Sequence, residues 1–184
     1  TDVNAAALAE AKWGAGAGCG SLLYLTIGTG IGGGFVSGDR LLHGLSHPEM
    51  GHIRMPRHPD DAEFKGRCPF HGDCLEGLAS GPAIIARWGC SLSELAPDHP
   101  GKAIIAWYLA QAMVTFQAVM EPERIVLGGG VTGTAGLLDL VRAEAKAAAA
   151  GYFAGDLEKV IVAPGLGEQS GLLGALAVAL SSTS

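Results

Sequence analysis

Apolar residues in this chain alternate between short solid runs and longer stretches at helical spacing. Ser21 to Ile27 (SLLYLTI), Arg124 to Leu127 and Lys159 to Ala163 are compact runs bounded by glycine or proline, as buried strands are. Between them lie helical patterns. Asn4 to Lys12 is rich in Ala, Leu and Glu, with Asp2 just ahead where an N-cap or loop carboxylate would stand. Ser80-Gly81-Pro82 opens a helix through Trp88, and Ser91 with Glu94 forms a capping box. Further helices are expected from about Gly101 to Met120, from Thr134 to Ala150 before Gly151, and from Gln169 to Leu180, the last with small residues Gly171, Gly174 and Ala175 for close packing. Gly28 to Gly34 reads as a tight turn, with Phe35 and Val36 starting a returning strand. Strands alternating with helices predict an α/β sheet domain, and neither a repeat nor a linker divides residues 1–184.

Composition narrows the function classes. The 184 residues carry a net charge of −6 and no basic run, which argues against a nucleic-acid surface. The opening TDVNAAALAEAKWG lacks the basic-then-apolar pattern of a signal peptide. Ala103 to Met120 is uncharged and touches the lower limit of a membrane span, but Gln111, Thr115 and Gln117 interrupt it. A core helix or a subunit-interface helix fits better, the latter implying a homodimer and neither implying a membrane. Four cysteines are too few for a disulfide scaffold and suit a reducing, cytoplasmic setting, with Cys19 and Cys90 expected as buried thiols.

Residues 47–77 depart from both periodicities. This loop is rich in Pro, His, Asp and Gly, and it carries His52 and then Cys68-x2-His71-x2-Cys74. Soft thiolate and imidazole donors at that spacing can close a tetrahedral zinc site with no position left for a catalytic water, so the ion would be structural. Zinc would then order a segment unable to bury much surface unaided. Glu49 precedes His52 by three residues and Glu76 follows Cys74 by two, so the ion would also fix two carboxylates. The alternative is that the cysteines are ordinary core residues and the histidines ordinary loop residues.

Two glycine-rich turns each follow an apolar strand, where open α/β sheets bind ligands. They are Gly28-Thr29-Gly30-Ile31-Gly32-Gly33-Gly34 and Gly128-Gly129-Gly130-Val131. Glycine lets backbone N–H groups approach phosphate oxygens, though hairpin bends and close helix packing demand glycine equally. Two such turns favour a nucleotide, with Thr29 adding a hydroxyl, and neither is a P-loop or a dinucleotide fingerprint. Asp2 is a candidate base that could accept the proton of an attacking hydroxyl, or simply a helix cap. Glu49 and Glu76 could accept hydrogen bonds from adjacent sugar hydroxyls, or simply be solvated acids.

Taken together, LTIGTGIGGGFVSGDRLLHG, HPEMGH, the C-x2-H-x2-C knot with LEGLASGP, and IVLGGGV resemble a bacterial ROK-family sugar kinase. The C-x2-H-x2-C version is most similar to its fructokinases. That resemblance implies an actin-like (ribonuclease H-like) ATPase lobe with a zinc-binding loop, using ATP with Mg²⁺ as donor and a hexose, fructose for the fructokinase branch, as acceptor. It makes Asp2 the catalytic base, and it gives Gly28, Thr29 and Gly30 to the ATP phosphates and Gly128, Gly129, Gly130 and Val131 to adenosine. Glu49, His52 and Glu76 become sugar contacts, and His52, Cys68, His71 and Cys74 the zinc ligands. Many relatives carry C-x-C-G-x2-G-C here, so histidine as the third ligand is a departure. No D-x-G-G-T-K-like phosphate loop occurs, so the chain reads as the C-terminal lobe of a longer protein, inactive by itself. Two other outcomes stay open: a sugar-responsive transcriptional regulator of the same family, and a zinc-stabilised sugar-binding module without turnover.

Overall fold

The computed structural model describes residues 1–181, so the last three residues of the expected 1–184 unit lie outside the described residues. Its centre is a mixed sheet of strands β1 (Ser21–Ile27), β2 (Ile31–Ser37), β3 (Arg40–Leu41), β4 (Arg124–Gly128) and β5 (Ile161–Val162), in the order β3-β2-β1-β4-β5. β1 and β2 form an antiparallel hairpin, while β1, β4 and β5 run parallel. Parallel neighbours require crossovers, and helices supply them on one face while the first and last helices cover the other. On one face, α2 (Leu75–Ala79), α3 (Gly81–Trp88), α4 (Gly101–Met120) and α5 (Leu137–Ala149) enclose a core that includes Leu23, Leu25, Ile105, Leu109 and Met113. On the other, α1 (Asp2–Trp13) and α7 (Ser170–Ser181) cover Leu22, Tyr24, Val36 and Val126; the short α6 (Leu157–Val160) leads into β5.

α1 and α7 are Ala- and Gly-rich because they lie almost in backbone contact: a Cβ on Gly174 would sit 2.6 Å from the Ala5 carbonyl carbon. Gly174 is therefore a close-approach residue as expected. Ala175 is not; it is exposed, and Ala177 is the small residue that is buried. α4 is the one helix among the described residues long and apolar enough to cross a membrane, and its apolarity is spent on the core, where Ile105, Leu109 and Met113 are fully buried.

Other boundaries moved for local reasons. Thr1, not Asp2, caps α1: its Oγ1 accepts the Asn4 N–H at 3.3 Å, leaving Asp2 as the first helical residue. β2 begins at Ile31, so the first glycine turn is only Gly28-Thr29-Gly30. Gly33 and Gly34 lie in the strand because Met50 packs against the first and Asn4 and Ala7 of α1 against the second. α5 starts at Leu137, since Gly136 has a φ of 78° and breaks the expected start at Thr134. α6 takes Lys159 and Val160 from the expected strand, and α2 and β3 are too short for a periodic signal. Cys19 and Cys90 are half-buried rather than buried.

The 47–77 loop is anchored by a buried ion pair of its own. Arg87 on α3 grips Asp61 through Nε and Nη2, each at 2.8 Å, the Tyr108 hydroxyl of α4 donates to Asp61 Oδ2 at 2.8 Å, and the Arg87 guanidinium lies 3.8 Å over the Phe64 ring. Both charged side chains are at most 6% exposed. Asp61→Ala would strand a buried guanidinium, and we expect a loss of about 3–5 kcal/mol, measured by urea unfolding; a loss below about 1 kcal/mol, the size of a surface pair, would show that the anchor is dispensable.

Candidate functional site

The metal candidates converge. His52 ends the turn Met50–His52, which packs on β2 through Met50, and Cys68 pairs with Gly72 across a bridge that bends the chain so that His71 and Cys74 face inward. Arg54 pairs with Cys74 in a second bridge, and the Leu75 N–H donates to Ile53 O at 3.0 Å, holding the two arms together. One donor atom from each of His52, Cys68, His71 and Cys74 lies within 4.8 Å of all the others.

Their spacing suits one ion. With nitrogen at about 2.05 Å and sulfur at about 2.3 Å, tetrahedral coordination requires edges of about 3.35 Å between nitrogens and about 3.55 Å between nitrogen and sulfur. His52 Nδ1 and His71 Nδ1 are 3.3 Å apart, and the nitrogen–sulfur separations are 3.7 Å (Cys68 to His52), 3.7 Å (Cys68 to His71) and 3.5 Å (Cys74 to His52). This His/Cys cluster could therefore hold a metal. Burial pushes the Cys68 thiol up, but the His71 and Phe70 backbone N–H groups aimed at it outweigh this and bring it below its ordinary value. Burial raises the Cys74 thiol.

Leu75–Ala79 continues directly from Cys74, and this short helix aims Glu76 at the hairpin. Glu76 Oε2 accepts the Ile31 N–H, just after the Gly28-Thr29-Gly30 turn, at 2.9 Å, while Oε1 has no partner among the described residues. Glu49 is less constrained: it is 63% exposed and pairs with His47 Nε2 at 2.8 Å. Asp2 is exposed, and its Oδ1 accepts the Val3 N–H at 2.9 Å.

The two glycine turns lie side by side because β1 and β4 are parallel neighbours, with Thr26 beside Gly128. Gly129 has a φ of 95°, and a Cβ there would lie 2.4 Å from Ile27 O, so only glycine fits; the Val131 N–H donates to that same oxygen at 3.0 Å. Two cavities flank the turns. One, of about 430 Å³, is bordered by Gly28, Thr29, Ile84, Leu92, Gly130 and Val131. The other, of about 650 Å³, is bordered by Tyr24, Thr26, Gly128, Gly129, Gly130 and Ser170. A smaller hollow of about 160 Å³ joins Asp2 to Val3, Ala6, Tyr24 and Thr26. No Lys or Arg lines any of the three among the described residues.

The structure thus brings together the four metal candidates, both glycine turns, and Glu76 with the first turn. Among the described residues Asp2 makes no hydrogen bond with Glu49 or Glu76; its helix reaches the hairpin through Val3 on Gly32, and the turn after Glu49 reaches it through Met50 on Gly33. Sequence reasoning missed Tyr24 and Thr26, although their two-residue spacing on a strand already placed them on one face.

A profile of the ROK family matches residues 1–182. A fructokinase of Zymomonas mobilis is 55% identical over 184 residues, covering 98% of this chain and 61% of the relative. A ROK hexokinase from Thermus thermophilus superposes with a TM-score of 0.81 at 32% identity, over 99% of this chain and 64% of that one. A ROK-family glucokinase from Streptomyces griseus, solved with glucose and AMPPNP, gives a TM-score of 0.70 at 25% identity over 100% of this chain and 67% of that one. The chain spans about three fifths of the length of the fructokinase it matches.

Proposed function

Since the chain belongs to the ROK family, with its actin-like ATPase fold, we propose that it is the larger lobe of an ATP-dependent fructokinase, transferring the γ-phosphoryl of MgATP to the 6-hydroxyl of D-fructose. One observation carries this assignment beyond likeness: Glu76, two residues past the last cysteine, is bonded to the N–H that closes the first glycine turn. The carboxylate proposed to hold the sugar therefore abuts the turn proposed to hold the phosphates, as phosphoryl transfer between the two requires.

Gly28, Thr29 and Gly30 approach the phosphates, and Gly128, Gly129, Gly130 and Val131 the adenosine side. With no Lys or Arg among the described residues lining the flanking cavities, backbone N–H groups and the nucleotide's own Mg²⁺ offset the phosphate charge. Glu49 and Glu76 Oε1 accept hydrogen bonds from sugar hydroxyls, His52, with Nδ1 turned to the metal cluster, donates from Nε2–H to a sugar oxygen, and Asp2 accepts the proton of the attacking hydroxyl and orients it. His52, Cys68, His71 and Cys74 hold a structural zinc ion, whose chemistry is to fix the loop that carries Glu49 and Glu76; the edge lengths of the cluster support this ligand set. A cytoplasmic location and a homodimer belong to the same proposal.

The test is metal content together with ATP-dependent phosphorylation of fructose, glucose and mannose, on the 184-residue chain and on a chain extended to the full length of its relatives. About one zinc per chain, with fructose-dependent turnover in the extended protein, is the expected result. Zinc without turnover on any of the three sugars would overturn the kinase and favour the family's regulators.

A further inference from the structure

Tyr24 is 7% exposed, yet its hydroxyl has no hydrogen-bond partner among the described residues. The ring is buried, but the hydroxyl is not one of the enclosed unpartnered polar atoms; it is an accessible donor beside two cavities, where a ligand can supply the bond that no protein group makes. The hydroxyl lies over the start of the second glycine turn: a Cβ on Gly128 would be 2.4 Å from Tyr24 Oη. Glycine at position 128 thus makes room for this hydroxyl, a role distinct from close approach to phosphate.

Tyr24 borders both the Asp2 hollow and the larger cavity with Gly128, Gly129 and Gly130. It stands where the acceptor's proton-taking group meets the donor's turn. Burial, and then the nearby Glu10 carboxylate, hold the phenol above its ordinary value, so the group stays neutral and available as a donor. Glu10 is itself fully buried and is held in place by the N–H groups of Ala15, Gly165 and Leu166 and the hydroxyl of Ser170.

We propose that the Tyr24 hydroxyl donates a hydrogen bond to the phosphate chain of the bound nucleotide, between Asp2 and the Gly128–Gly130 turn. This rests on the kinase assignment and adds a nucleotide contact to it. A phosphate is the better acceptor because its negative charge strengthens a hydrogen bond from a neutral hydroxyl.

Tyr24→Phe in the extended chain keeps the ring that packs on α1 and removes only the hydroxyl. We expect the KM for MgATP to rise about tenfold, the effect of losing one hydrogen bond to a charged group, with the fructose KM and Tm unchanged. An unchanged ATP KM overturns the proposal. So does a rise confined to the fructose KM, which would assign the hydroxyl to the sugar, and so does a fall in Tm without a kinetic change, which would assign it to another part of the protein. If the unsubstituted protein phosphorylates no sugar, the kinase assignment fails by itself, and MgATP titration calorimetry decides the contact separately: weaker binding by Tyr24→Phe upholds it, and equal or no binding by both proteins overturns it.

Discussion

Asp2→Asn in the extended protein is expected to lower kcat for fructose phosphorylation by about 10²–10⁴-fold, the range associated with removing a general base, while leaving both KM values and Tm unchanged. Asparagine keeps the side-chain oxygen that accepts the Val3 N–H and preserves the first turn of α1. What it loses is the capacity to take a proton. The exposed Asp2 opens into a hollow with Thr26 and has no cationic partner among the described residues, so no ion pair is broken by the change. Because Thr1 supplies the cap, a stability loss is not expected either, and a near-normal kcat would remove Asp2 from the mechanism.

Cys74→Ser is expected to release the ion and, with it, sugar binding. Structural zinc sites contribute about 10–16 kcal/mol to the folding of small zinc domains, and here that stabilisation acts on residues 47–77, whose backbone is otherwise held by the two bridges, the Asp61 anchor and the hydrogen bonds of Arg54 and Arg57. Cys74 also immediately precedes α2, so its displacement misplaces Glu76 and loosens the contact with Ile31. Metal analysis should fall from about one zinc per chain to background, with the fructose KM rising beyond measurement, while Cys90→Ser changes neither. Full zinc retention in Cys74→Ser would defeat the ligand assignment. Zinc loss with an unchanged fructose KM would separate the ion from sugar binding and favour a purely structural loop.

The strands and the long helices were legible because their apolar residues recur at a single period over many positions. β1 was read to the residue and α4 nearly so, since each is bounded by glycine or proline and buries most of its length. The metal ligands were equally legible, because C-x2-H-x2-C is a local constraint that survives without knowledge of the fold. Less could be said of short elements such as α2 and β3, which contain too few residues to show a period, or of Asp2, whose capping and chemical roles look alike in one dimension.

What the sequence determined by itself was composition and local order: an α/β alternation, a His/Cys loop, two glycine turns after strands, and a pattern specific enough to identify the family. Tertiary structure decided what each of those features is next to. Only the parallel pairing of β1 with β4 sets the two turns side by side, although a hundred residues separate them in the chain. Only the approach of Met50 and α1 explains why glycines continue into β2, and only Gly128 beneath Tyr24 reveals an unpartnered hydroxyl between two hollows. The physical reason is one of range. Periodicity, capping and ligand spacing are short-range and are written into neighbouring residues, whereas close backbone approach and cavity shape depend on which distant segments the core brings together.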